Sequence, residues 1–295
     1  MMRSIIRRIC VAAVAVAITV SVYATSSNVR VAEAFPSGSQ TTLHEGFDKC
    51  SPPSESQFAT WWSYSPYWWH GLYIGGENWT CRPLTFTAQN LNDVYAQGWR
   101  FMFLWVGPQP PCTTMGKYYT FSSNTTTAYS QGTTEAHSAI ATLSSTLGVD
   151  NQASGSAIAY DIESAGNGTC QAATNSFIQG WVNYMHQCCP TQVPGVYGSV
   201  CGASLDSYAF LSPPPTFVWG AEIDGNHNTD TGDLWYDPSN CGVASDHWVD
   251  HQRLKQWNQS HYETYPAGTG VKLYIDSDCA NGPTNPTTLS GAQCT

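Results

Sequence analysis

The sequence predicts an α/β protein built as one (β/α)8 barrel. Three observations carry this. Eight short strand-like runs alternate with helix-like stretches, no linker divides them, and several runs end in a carboxylate. Such alternation produces parallel βα units, and the sites of these barrels sit at the C-terminal strand ends.

The first strand runs from Leu43 to Cys50 and ends Gly46-Phe47-Asp48-Lys49-Cys50. Ser54 caps a short helix that reaches Trp62. The second strand is Gly71–Gly76. After Leu84-Thr85-Phe86-Thr87 comes a helix with Leu91, Val94 and Tyr95 at i, i+3 and i+4, started by Thr87 and stopped at Gly98. The third strand, Arg100–Val106, is apolar on both sides, as in a sheet covered by helices. Residues 107–132, rich in Gly, Pro, Ser and Thr, read as a long loop, and such loops are often functional rims. A helix from Thr134 to Leu147 follows, with Ala136, Ile140, Leu143 and Leu147 on one stripe and Gly148 ending it.

The fourth strand, Ser156–Ser164, is the centre of the reading. Its apolar run ends in Asp161 and Glu163, two residues apart and so on one face of the strand. Paired acids at a strand end are one way to set a general acid beside a nucleophile or stabiliser; a solvated strand end or a helix cap has the same appearance. A helix over Ala172–His186 follows, with Phe177, Trp181 and Tyr184 on one side. Then come strand Gly195–Ser199, a short helix over Leu205–Phe210, strand Thr216–Glu222 and a polar loop over residues 224–246. Leu254–Trp257 and Lys272–Asp278 are the seventh and eighth strands. The tail beyond Asp278 is too short and too rich in Gly and Pro for a full eighth helix, so the TIM-type barrel is irregular where it closes.

The chain of 295 residues opens like an export signal: Arg3, Arg7 and Arg8, then an apolar run from Ile9 to Val22, then small residues. The run is too short and Ala-rich for a membrane span. Cleavage fits after Ala24 or Ala34. The Arg7-Arg8 pair admits a twin-arginine route, although its surroundings fit that signal poorly. Residues 1–34 are therefore read as signal and leader, 35–42 as a flexible linker, and 43–295 as a single domain. Without residues 1–34 the chain keeps 11 − 4 = 7 basic and 21 − 1 = 20 acidic residues, a net charge of −13. That balance excludes nucleic acid and an anionic membrane surface as partners. Charged residues are few and Trp, Tyr, Ser, Thr, Asn and Gly many, a profile that suits a secreted, extracellular protein, expected as a monomer, that handles neutral polar ligands such as sugars. Ten cysteines remain, Cys50, Cys81, Cys112, Cys170, Cys188, Cys189, Cys201, Cys241, Cys279 and Cys294, and an even set in an exported chain points to disulfides. Adjacent Cys188 and Cys189 are each expected to bond elsewhere.

No cofactor motif stands out, and no metal is expected. His247 and His251 have helix-face spacing but lack an acidic residue in the His-Glu-x-x-His position. The patch Trp61, Trp62, Tyr64, Tyr67, Trp68, Trp69 and Trp79 either stacks on sugar rings or packs the interior, with packing expected for about half of it. Asn78-Trp79-Thr80 is one of four matches to the glycosylation pattern, which arise by chance in a Ser/Thr-rich chain.

Four acids fall at strand ends: Asp48, Asp161, Glu163 and Asp276. Five short motifs stand in order: Gly46-Phe47-Asp48-Lys49-Cys50, Tyr73-Ile74-Gly75-Gly76, Trp105-Val106-Gly107-Pro108-Gln109, Tyr160-Asp161-Ile162-Glu163 and Gly195-Val196-Tyr197-Gly198-Ser199. In these the chain resembles, over residues 43–280, the domain of unknown function 1906, the Rv2525c-like glycoside-hydrolase-like domain of secreted actinobacterial proteins. That family is related to the family 25 glycoside hydrolases, the lysozymes that cut peptidoglycan glycan. The resemblance implies Glu163 as general acid, Asp161 as its partner carboxylate, and Asp48 and Asp276 as residues that hold substrate or water. Trp105, Gln109, Tyr197, Trp219 and Trp257 are the candidate substrate-binding residues, although Trp105, Trp219 and Trp257 could equally fill the core. The partner implied is a peptidoglycan-type glycan. A non-catalytic carbohydrate-binding barrel is the alternative.

Overall fold

The computed structural model describes residues 40–149, 156–165, 168–225, 242–244 and 246–284, with the backbone alone for 40–43 and 282–284. Residues 1–34, read from sequence as signal and leader, most of the 224–246 loop, Cys241 and Cys294 lie outside the described residues. Eight strands close into a barrel in chain order. They are β1 (Gln40–Asp48), β2 (Trp69–Gly75), β3 (Arg100–Trp105), β4 (Ala157–Ile162), β5 (Val193–Ser199), β6 (Phe217–Ala221), β7 (Arg253–Tyr265) and β8 (Val271–Thr284). Around them lie α1 (Glu55–Tyr64), α2 (Ala88–Gln97), α3 (Thr125–Leu147), α4 (Gln171–Cys188) and a 3-10 turn, Leu205–Phe210. β1 begins at Gln40 and so includes residues 40–42, read from sequence as linker.

The strand alternation sorts the side chains into two layers. Met102 and Leu104 of β3 point into the barrel with Trp69, Ala157, Ala159, Phe217, Trp219, Leu254 and Ala280. Phe101, Phe103 and Trp105 point outward beneath the helices, with Ile158, Tyr160, Phe177 and Trp181. The unbroken apolar run of β3 thus serves both layers. Of the aromatic patch, Trp61, Tyr67, Trp69 and Trp79 are buried, and Tyr64 is exposed.

Two elements differ from the sequence reading. α3 starts at Thr125, so residues 125–132 are helix rather than loop. Asn124 caps them, its side chain accepting from the Thr127 amide at 3.0 Å. The Thr/Ser/Gly composition reads as loop, but Gly132 meets the Phe177 carbonyl of α4 and Gly180 meets the Tyr129 carbonyl of α3. The two helices cross at a spacing that leaves no room for a Cβ, and that packing overrides local propensity.

The second difference is at closure. Strands β1 to β7 run parallel, but β8 is antiparallel to both β7 and β1. A parallel neighbour needs a crossover of about a dozen residues. Only Pro266–Gly270 separate Tyr265 from Val271, so the chain can only make a hairpin. Closure is irregular as expected, but through an inverted strand.

Among the described residues Cys50 is joined to Cys81 and Cys112 to Cys170, with Cα separations of 5.7 and 5.6 Å, and Cys201 and Cys279 are also disulfide-bonded. Cys188 and Cys189 remain thiols, contrary to expectation. They sit at the end of α4, where burial pushes the Cys188 thiol up to about 12.

Candidate active site

The inversion of β8 puts Asp276 where it is. The residue does not lie at a C-terminal strand end. β8 descends into the barrel from above, and Asp276 pairs with Asp48 as Asp278 pairs with Gly46. Both β8 acids thereby reach the mouth formed by the ends of β1 and β4. Asp161, inward like Ala157 and Ala159, completes the floor, and Glu163 lies one inward step above it. The four acids named from sequence converge on one mouth.

Their environments differ. Asp48 is buried, accepting from the Tyr73 hydroxyl at 3.1 Å and from Gln256 Nε2 at 2.8 Å. Burial holds its carboxyl well above the usual range, and Asp276 adds to the rise; the bonds from Gln256, Tyr73 and Asp278 oppose it. Asp278 is fully buried and accepts from Trp219 Nε1 at 3.1 Å. Burial, then Asp48 and Asp276, raise it, and its bond to Asp48 favours the protonated form. Burial thus favours the neutral form of both carboxyls.

Asp161 is also fully buried, and among the described residues neither carboxyl oxygen has a hydrogen-bond partner. Burial raises it well above the usual carboxylate range, with Glu163 and Asp48 adding to this. Glu163 differs in opening to solvent while protein atoms crowd around it, as at the rim of a concave mouth. Desolvation and Asp276 raise its carboxyl, and Lys117 of the overlying loop pulls it back. Asp276, half-exposed, accepts from the Ser260 amide and is raised chiefly by burial.

The candidate substrate-binding residues separate. Tyr197 is half-buried in the mouth and donates to Gln256 Oε1 at 3.0 Å, so Tyr197, Gln256 and Asp48 form a chain. Gln109 is fully buried. Its Nε2 donates to the Asp161 carbonyl at 2.8 Å, and its Oε1 accepts from the Glu163 amide at 2.8 Å. It spans the Asp-x-Glu turn and positions Glu163. Trp105 points away from the mouth and donates to Glu135 at 2.6 Å. Trp219 lies beneath Asp278, edge-on to Trp69 and Tyr197. Trp257 is half-buried beside the register shift of β7.

Tyr73, Gln256 and Asp278 complete the floor and were not singled out as site residues. Inward alternation could have found them: Tyr73 follows Gly71, and Gln256 follows Leu254, each by two residues. Tyr118 and Lys117 come from the loop after β3, and burial followed by Glu163 and Asp161 raises the Tyr118 phenol. This loop is pinned by Asn78, whose side chain donates to the Gly107 and Tyr119 carbonyls and accepts from the Tyr119 amide, each at 2.9 Å. Asn78 is buried and committed to these bonds. His247 bonds Asp206 at 2.7 Å and His251 bonds Asn281 at 2.7 Å, both outside any helix. Among the described residues no group of three or more His, Cys, Asp or Glu could hold a metal ion, and no helix is long and apolar enough to cross a membrane.

No curated protein matches the chain. An uncharacterized protein of B. stearothermophilus superposes with a TM-score of 0.51 at 14% identity, over 80% of this chain and 95% of that one. The Tat-secreted protein Rv2525c of Mycobacterium tuberculosis gives 0.49 at 12%, over 81% and 96%. A muramidase from Acremonium alcalophilum gives 0.48 at 16%, over 81% and 94%. At these identities the likeness is one of fold. The Rv2525c-like, glycoside hydrolase-like domain matches residues 59–280, three quarters of the sequence. The chain belongs to that family.

Proposed function

We propose that this is an exported protein that hydrolyses a cell-wall glycan of the peptidoglycan type. The observation that carries the reading is the solvent-open Glu163, raised above its ordinary range, over a floor of buried carboxyls. A general acid must hold its proton near working pH and reach the substrate; the raised pKa of Glu163 and its opening to solvent support that role. It protonates the departing glycosidic oxygen as the bond to the sugar carbon breaks; water then supplies hydroxide to that carbon, and its remaining proton returns to Glu163. Asp161 answers the positive charge that develops at the ring. Asp48, held by Tyr73 and Gln256, and Asp276 hold substrate or water. Export is supported by the leader and by disulfides, which persist in oxidising compartments.

One observation favours a second reading, a barrel that binds glycan without cutting it. Asp161 touches no solvent, so a sugar meets it only if the floor opens. Purified peptidoglycan decides the matter. New reducing ends with the native protein, and none with Glu163→Gln, support hydrolysis. Binding to the wall without new reducing ends supports the second reading, and equal cleavage by Glu163→Gln refutes the acid assignment.

A further inference from the structure

The β7–β8 hairpin continues the site beyond the barrel. Side chains two apart on a strand share a face, so Lys272, Tyr274, Asp276 and Asp278 form one row on β8. Its lower end is the acid floor. Its upper end stands above the mouth, where burial alternates: Lys272 and Tyr274 are exposed, and Leu273 and Ile275 are buried. The buried face is anchored. The Tyr67 hydroxyl donates to Glu263 at 2.8 Å and lies 2.6 Å from Ser277 Oγ. Trp61 Nε1 donates to the Val271 carbonyl at 3.0 Å. The hairpin is thus a wall fixed from behind.

Its front is aromatic. Tyr262 is directly across from Tyr274, with ring centroids 4.8 Å apart, and the two rings are 63% and 48% exposed. Lys272 Nζ lies 4.1 Å from the Tyr262 ring centroid. A cavity of about 320 Å³, lined among others by Lys49, Ser260, Tyr274 and Asp276, joins this front to the mouth. That volume is in the range of ligand pockets. The two rings pack against each other but leave much of their surface to solvent, and rings with one polar edge suit amphipathic ligands.

We propose that Tyr262 and Tyr274 form a stacking wall for sugar units beyond the cleavage point, so that the site takes an extended glycan strand rather than a disaccharide. The proposal rests on the glycan reading above. Its test is calorimetric titration with peptide-free peptidoglycan strands, sorted by length, on a Glu163→Gln background that suppresses turnover. Long strands are expected to bind more tightly than the disaccharide. Tyr262→Ala with Tyr274→Ala is expected to remove that advantage, weakening long-strand binding about tenfold and leaving disaccharide binding unchanged. The matching Phe pair keeps the rings and the advantage, and confirms that the hairpin tolerates substitution. Tyr64→Ala, an exposed ring at the C-terminal end of α1, should change nothing. If long strands bind the Ala pair as tightly as the parent, the wall is refuted while glycan binding stands. If the parent binds no strand of any length, the glycan reading fails and the wall with it.

Discussion

At the scale of single residues, the site is a set of carboxyls sorted by access to water. Glu163 is the open one, and Glu163→Gln should lower the hydrolysis rate by about 10²–10⁴ while leaving wall binding intact. The pH profile follows. Glu163 must be protonated to act and its pKa is raised, so cleavage falls as pH rises through that raised value; a rate that increases there refutes the role. Asp278 is the closed one. Burial favours its neutral form, which accepts from Trp219, and an Asn amide is neutral and offers the same acceptor. Asp278→Asn should therefore leave thermal stability equal or higher at neutral pH. Asp278→Ala, which strands the Trp219 indole, should cost about 1–3 kcal/mol in denaturant unfolding.

At the scale of elements, what matters is how loops and helices hold the Asp-x-Glu turn. Gln109 joins the loop after β3 to the end of β4. Gln109→Leu should lower kcat with little change in glycan affinity, because Glu163 is misplaced rather than removed; an unchanged kcat would refute the positioning role. The Cys112–Cys170 bridge ties the same loop to the start of α4 across 58 residues, and Cys112→Ser with Cys170→Ser should cost about 3–4 kcal/mol of stability. Behind the turn, α3 and α4 cross at Gly132 and Gly180. An alanine at either glycine must displace the opposing backbone, at a cost of about 1–3 kcal/mol, readable as a lowered Tm.

At the scale of the whole molecule, the buried carboxyls set how stability varies with pH. Asp48, Asp161 and Asp278 hold protons to higher pH in the folded state than in the unfolded chain. Where the folded state binds the extra protons, stability falls as pH rises. Their contribution is full below about 4, the unfolded carboxyl value, and is lost as pH climbs through the raised native values. The melting temperature should decline from about pH 5 to pH 8, with a shallower slope in Asp278→Asn. A flat or rising curve in calorimetry would show that these acids are ionised in the folded state. The chain's net charge of −10 acts in the same direction, through self-repulsion.

Local pattern alone determined much of this protein. The alternation of strands and helices set the barrel, the capping residues Ser54, Thr87 and Gly148 set helix ends, and the spacing of Asp161 and Glu163 put two acids on one face. Each is a property of a few neighbouring residues, so each is legible in sequence. Tertiary structure decided the rest, because it depends on partners far along the chain. Composition hides the first turns of α3, which exist because Gly132 lets α4 approach. Gln109 has the polarity of a ligand contact, but its partners lie over fifty residues on, and they make it an internal clamp. Asp276 was placed at the mouth for the wrong reason: a five-residue turn forces β8 to run backwards, and only that reversal brings Asp276 opposite Asp48 and Asp278 beneath it. The acids were in the sequence, but which of them is open to water and which is sealed from it is set by the closed barrel around them.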